Sequence, residues 1–351
     1  MIKTDKYELY KGDCLELMKN IPDKSVDMIL CDLPYGTTDC EWDNIIPFDR
    51  LWNEYKRIIT DNGVIALFGS QPFTSELVCS NKNMFRYELI WEKVQGRQPQ
   101  LCNIMPMKAH ENICIFYKDA SQYKNEPDKY IELRQYFYNE KQRLGLTYKD
   151  INKALGTATT GGGMASHYFN LKFKQWSLPT EEMYKKLQSA FKEGFKKDYK
   201  ELKERFEQYD SEFGIKYNPQ FSEGKAYNKK EQTKVQGNSP IAGFDSFKGL
   251  AKENETKRYP LSYMRFKNPK NPVHPTQKPV ELLEYLIKTY TNEGEIVLDN
   301  CMGSGSTGVA CLNTNRKFIG IEKDEKYFNM AKDRLFLTEK NLYQNELKTL
   351  A

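Results

Sequence analysis

The sequence predicts an α/β fold: a circularly permuted, doubly wound sheet with a mostly helical inserted domain. Three observations predict it. Continuously apolar runs of strand length, VDMILCD (26–32) and GVIALFGS (63–70), alternate with stretches of helical spacing. That is the pattern of strands buried on both faces between helices. The alternation stops near Pro127 and resumes near residue 273. Finally, the glycine turn that ordinarily opens such a sheet, Gly303-x-Gly305-x-x-Gly308 in LDNCMGSGSTG, comes when fewer than fifty residues remain. If the pieces 1–127 and 273–337 share one sheet, that turn is the first unit in space and the last in sequence.

The elements follow in order. KYELYKGD reads as a short strand ending in a polar turn, and CLELMKNI as helical. FDRLWNEYKRIIT has helical spacing and stops at the turn signal Asp61-Asn62-Gly63. SELVCSNKN is helical, and FRYELIWEK and ENICIFYK are two late strands, giving four or five parallel strands in this half. Residues 128–272 show no comparable buried strand. TYKDINKALG predicts a short helix capped by Thr147 with Gly156 past its end, and MASHYF starts a second helix after the Gly161–Gly163 turn. Residues 180–210 predict one long charged helix, a solvated arm, and 214–272 a loop-rich stretch. VELLEYLIKTYT, EIVLDN, TGVACLNT and KFIGIE restore the alternation, and 338–351 is expected to be a C-terminal helical tail.

With 351 residues the chain is long enough for a sizeable core. No apolar run approaches a membrane span, and the start MIKTDKYELYKGD lacks the apolar region of a signal peptide. Eight cysteines without a C-x-x-C pair and three dispersed histidines argue against a metal site, and the thiols suit a reducing cytoplasm. Net charge is uneven: residues 128–272 hold 28 basic against 18 acidic side chains, +10, and the remainder is −5. A local basic excess fits a polyanion partner, or simply a lysine-rich solvated face.

Asp32-Leu33-Pro34-Tyr35 lies at the carboxyl end of a buried strand, where open α/β sheets place ligands. An amino group on an aromatic base is a poor nucleophile because its lone pair is delocalised. It becomes reactive if acceptors take its hydrogens. Asp32 supplies one, the Leu33 carbonyl, directed by Pro34, another, and Tyr35 a face for stacking. The bland alternative is a strand-end turn.

Here the sequence resembles the amino-methylating DNA methyltransferases, whose motif is Asp/Asn/Ser-Pro-Pro-Tyr/Phe. Leu33 stands where Pro is usual, and Asp in the first position goes mostly with adenine N6. The order of catalytic motif, insert, HPTQKP (274–279) and glycine turn resembles the β class of that family, over 1–127 and 273–337. The resemblance implies a Rossmann-like methyltransferase sheet and S-adenosylmethionine as cofactor. It implies cofactor contacts from Asp13, Thr276, Gln277, Lys278, Asp299, Asn300, Gly303, Ser304, Gly305 and Glu322. Free N–H groups at the helix start after Pro279 suit the cofactor's carboxylate, and Asp299 would face its ammonium. The 19-residue spacing from Gly303 to Glu322 also fits a nicotinamide site, but three acidic strand ends suit a cationic sulfonium better. No metal is required, and cytosine C5 chemistry would need a Pro-Cys motif that is absent; Cys31 and Cys301 read as small buried residues.

The insert, 128–272, is the natural target-recognition region, with helix-turn-helix outline over 144–176. Ser166, His167 and Tyr168 would then reach bases and Lys172 and Lys174 phosphates, unless Tyr168, Phe169 and Trp176 form a helical core instead. Arg97 and Asn103, in the loop QGRQPQLCN, would line the base pocket. The expectation is a site-specific adenine N6-methyltransferase acting on double-stranded DNA. Alternatives are cytosine N4 transfer, a protein-amide methyltransferase, or a non-catalytic DNA-binding regulator. A homodimer and a companion restriction enzyme are compatible with the sequence without being specified by it.

Overall fold

The computed structural model describes all residues except 37–43, 98–101, 119–129, 158–162, 172–175, 214–215, 225–255, 274–275 and 351. Eleven strands are described: β1 (Ile2–Lys3), β2 (Tyr7–Lys11), β3 (Val26–Cys31), β4 (Ile59–Gly69), β5 (Phe85–Arg97), β6 (Lys108–Tyr117), β7 (Ser222–Glu223), β8 (Lys257–Arg258), β9 (Tyr263–Phe266), β10 (Ile296–Asp299) and β11 (Lys317–Glu322). Nine of them form one sheet in the order β1-β2-β11-β10-β3-β4-β6-β5-β9, while β7 and β8 pair separately. The central five, β2, β11, β10, β3 and β4, are mutually parallel. Chain order reverses between β10 and β3, so the crevice between their carboxyl ends is the topological switch point.

Period-two alternation divides each central strand between two cores. Met28 and Leu30 of β3 point into one apolar cluster and Ile29 and Cys31 into the other. In β4 the split is Val64, Ala66 and Phe68 against Ile65 and Leu67. One face is covered by α1 (Cys14–Leu17), α2 (Phe48–Ile58) and α3 (Phe73–Ser80), with Leu51, Trp52, Tyr55, Ile58, Phe73 and Leu77 buried.

The insert has its own core. Helices α4 (Ile131–Arg143), α5 (Tyr148–Leu155), α6 (Gly163–Phe169), α7 (Glu181–Ala190) and α8 (Tyr199–Phe213) surround Phe137, Phe169, Tyr184 and Phe195, all fully buried. The opposite face of the sheet is covered by α9 (Val280–Tyr290), α10 (Ser306–Asn313) and α11 (Glu325–Leu350), which bury Leu286, Ile287, Ala310, Ala331 and Leu335.

Several expectations are corrected. The long charged helix over 180–210 is two helices, broken at 191–198, where Phe195 turns back with φ 55° and enters the core. It is no solvated arm, because Tyr184, Leu187, Phe195 and Leu202 are buried in the insert's core. The stretch read as loop-rich contains β9, which pairs in parallel with β5 and receives a hydrogen bond from Trp91 Nε1 to the Phe266 carbonyl at 3.0 Å. Only Met264 of β9 is buried, so the strand carries almost no apolar signal. The late strands β5 and β6 form an antiparallel pair, and β6 runs antiparallel to β4. Helix α2 ends at Ile58 and β4 begins at once, with Asp61-Asn62-Gly63 inside an irregularity of its pairing with β3. Residues 338–350 are helical as expected, as an unbroken continuation of α11.

Candidate active site

Each parallel strand delivers a functional residue at its carboxyl end. Asp13 follows β2, Asp32 follows β3, Ser70 follows β4, Asn300 follows β10 and Glu322 ends β11. Because β6 runs the other way, its amino end, Lys108 to Glu111, arrives at the same edge, beside Trp91 and Lys93 of β5. Together these residues line a cavity of about 820 Å³. Leu33, Pro34, Tyr35, Thr276, Gln277 and Lys278 line it too. The structure therefore gathers the strand-end motif, the segment before α9 and the acidic ends of β2 and β11 around one space.

At one end the cavity is acidic. Asp13 caps α1 through a bond from the Leu15 N–H at 3.0 Å and faces Lys323 at 3.8 Å. Glu322 accepts the N–H groups of Gly303 (2.8 Å) and Asp324 (2.7 Å), one on each oxygen, and burial raises its carboxyl above the ordinary range. Asn300 accepts from Tyr55 Oη at 2.5 Å.

The other end holds a charge array. Asp32 Oδ1 accepts from Tyr35 Oη at 2.6 Å, and Oδ2 pairs with Lys278 Nζ. Lys278 also lies 3.4 Å from Glu111 Oε2, and Glu111 Oε1 is held by Lys93 at 2.5 Å. Burial pushes the Asp32 carboxyl up, against the pull of Lys278. Burial would lower the Lys278 ammonium, but Asp32 and Glu111 hold it above its usual value. Glu111 is kept low by Lys278 and Lys93 despite its burial. Lys108 contacts Ser70 Oγ and is lowered by burial. The Tyr35 ring stacks on Phe73 with centroids 4.9 Å apart, so one of its faces is already occupied.

Leu33, the departure from the family motif, is only 4% exposed and packs into the core on the α2 side. Its side chain is a core residue, which leaves its carbonyl free of any demand for proline at that position.

Not every expected residue reaches the cavity. Asp299 is buried behind the wall, its oxygens taken by the Cys301 N–H (3.1 Å) and Thr307 Oγ1 (2.6 Å), so it ties the turn to α10 rather than facing the cavity. Gly303, Ser304 and Gly305 are not among the residues that line the cavity either. Ser304 is engaged by Arg334, and Gly305, with φ 78°, packs so close to α11 that a Cβ would meet Ala331 at 2.9 Å. Lys278 does line the cavity, and there it pairs with carboxylates. Cys31 is buried as expected, its thiol pushed up to about 12 by burial, but Cys301 is half-buried and lines the cavity.

In the insert, Thr147 and Asp150 form a reciprocal capping box on α5, and Gly156 ends it at φ 69°. The second helix, α6, follows. Yet Tyr168 is buried in the helical core, its carbonyl taken by Trp176 Nε1 at 2.9 Å, so it cannot reach a base. Ser166 bonds the Gly163 carbonyl (2.9 Å) and His167 Nε2 meets Ser177 at 3.1 Å, both half-buried. Lys172, Lys174, His274 and the side chain of Arg97 lie outside the described residues. Asn103 is exposed and lines no part of the cavity.

Lys93, Lys108 and Glu111 were not anticipated. The available signal was a pair of charges opening an otherwise apolar strand, KAHENICIFY, at the end that an antiparallel neighbour brings to the ligand edge. Among the described residues no His/Cys/Asp/Glu group is arranged to hold a metal ion, and no helix is long and apolar enough to cross a membrane.

A model of the N6/N4 methyltransferases, described as DNA methylase, matches residues 26–333. The type II methyltransferase M.HpaI of Haemophilus parainfluenzae is 38% identical over 96 residues, 27% of this chain and 31% of that protein. The DNA adenine methyltransferase YhdJ of Escherichia coli is 48% identical over 62 residues, 18% and 21% of the two chains. The aligned stretches thus span less than a third of these relatives. The solved structure of M1.HpyAVI with S-adenosylmethionine is similar over 94% of this chain and all of that one, with TM-score 0.45 and 19% identity. The family match covers most of the chain, which belongs to the N6/N4 DNA methylases.

Proposed function

We propose that this member of the DNA methylase family transfers a methyl group from S-adenosylmethionine to the N6 amino group of an adenine flipped out of double-stranded DNA. One observation carries the reading: Asp32, Leu33, Pro34 and Tyr35 lie in the wall of the same cavity as the acidic ends of β2 and β11. Asp in the first motif position and the name of one relative, a DNA adenine methyltransferase, support adenine over cytosine.

The residues fit that cofactor. Each Glu322 oxygen that accepts one N–H retains a lone pair for a ribose hydroxyl. Asp13, half-exposed at the rim, can accept from an amino group of the adenine moiety. When bound, the cofactor supplies an electrophilic methyl on a sulfonium. The chain's part is positional. Asp32 and the Leu33 carbonyl accept the hydrogens of the target amino group and turn its lone pair toward the methyl, holding the two in line. Phe73 supports Tyr35 from behind, leaving the other ring face for the base. Unstacking the adenine costs a few kcal/mol, recovered in the pocket.

The test is incubation with S-adenosylmethionine and unmethylated DNA, followed by nucleoside mass spectrometry. N6-methyladenine is expected. N4-methylcytosine would move the base assignment, and no modified base would overturn the reading. Asp32→Ala should abolish transfer while leaving cofactor binding intact; full activity of that variant refutes the role of Asp32.

A further inference from the structure

Both oxygens of Asp32 are occupied in the free protein, Oδ1 by Tyr35 Oη and Oδ2 by Lys278. Each oxygen keeps a lone pair, but while Lys278 is bound to it Asp32 is a neutralised, weaker acceptor for a base amino group, and it becomes the stronger one when Lys278 moves off. Tyr35 is fixed by its stack on Phe73, so Lys278 is the partner that can turn away. A buried ammonium stripped of its counter-ion is strongly destabilising, so displacement needs a second acceptor within reach.

Glu111 is built for that. Its Oε1 is held by Lys93 at 2.5 Å, itself seated over the Trp91 ring at 4.9 Å. Its Oε2 is buried, makes no hydrogen bond, and lies 3.4 Å from Lys278 Nζ, in ion-pair range. The Phe68 ring lies 5.0 Å from the same ammonium and accompanies it between the two carboxylates. We propose that Glu111 is a positioning residue: it receives Lys278 when the target base docks, and so frees Asp32 to accept from the base amino group. The inference rests on the methyltransferase reading above and adds to it a specific hand-over within the array.

The experiment compares wild type, Glu111→Gln and the charge-balanced Glu111→Gln/Lys93→Met in single-turnover methylation of DNA across pH, with S-adenosylmethionine binding measured in parallel. Glutamine keeps the shape of Glu111, and the double variant restores neutrality should the single one fold poorly. In both, the methylation rate should fall by about a hundredfold, the scale of a misplaced reacting group, with cofactor affinity unchanged.

A role confined to packing would leave the rate of the isosteric Glu111→Gln variant near that of wild type. Here the acid limb moves to lower pH, because Asp32 loses the negative neighbour that raises its pKa. The other groups facing Asp32 are Tyr35, Lys278, Cys31 and Asp299, and of these Tyr35 and Lys278 also lose the charge of Glu111. Wild-type rate in Glu111→Gln, or its return in the double variant, overturns the inference, since Glu111 would then serve only to neutralise Lys93. A wild-type protein that methylates no base overturns instead the function on which the inference rests.

Discussion

Asp299→Asn is expected to stabilise the protein at neutral pH and to have little effect at pH 4. Burial raises the folded carboxyl from 3.8 to about 6, against the hydrogen bonds from Thr307 and the Cys301 N–H, with Asp32 adding to the rise. Well below pH 3.8 the acid is protonated in both states and no penalty exists. Between about pH 4 and 6 the unfolded chain ionises first, so stability falls as pH rises, and above 6 the full penalty remains. Two pKa units correspond to about 3 kcal/mol, an upper figure. Asparagine escapes it and keeps both contacts: its carbonyl oxygen accepts from Cys301 N–H and its amide donates to Thr307 Oγ1. Urea unfolding of both proteins between pH 4 and 8 measures the difference directly. A variant less stable than wild type at pH 7.5, or a gap that does not open between pH 4 and 6, refutes the reasoning.

Two further substitutions probe the supports of the site and the insert. Tyr55→Phe removes the 2.5 Å bond to Asn300 in the cavity wall and should cost about 1–3 kcal/mol by denaturant unfolding, since a buried acceptor loses its donor. Phe137→Ala empties the centre of the helical core, where the ring meets Phe169, Trp176, Tyr184 and Phe195, and should cost about 3–5 kcal/mol. A loss below about 1 kcal/mol would mean that this core is loosely packed.

Legibility in the sequence followed the range of the interactions involved. β3 was readable because both of its faces are buried from Met28 onward, which makes MILC continuously apolar. The caps of α5 were readable because Thr147 and Gly156 act within their own helix. β9 was not, since an edge strand with one buried residue has neither an apolar run nor clean alternation. The break at 191–198 was hidden for a related reason: Lys and Glu at every helical spacing outvoted Phe195, whose burial depends on helices sixty residues away in sequence.

The site divides along the same line. Asp32 to Tyr35 is one contiguous motif at one strand end, and its residues converge because the chain gives them no alternative. The state of Asp32, however, depends on Lys278, 246 residues away, and on Glu111, which arrives only because β6 runs antiparallel to β4. Read locally, Lys278 is a cation at a helix start and suits an anionic ligand. In the fold it stands between two carboxylates, only one of which belongs to the motif. The ammonium lowers the proton affinity of Asp32, and Glu111 opposes that effect. The basicity of the strand-end carboxylate is therefore a property of the sheet's strand order as much as of its own four residues. A chain with the same motif but an apolar residue at 111 would bind Lys278 to Asp32 more tightly, and would be slower to release it to a base.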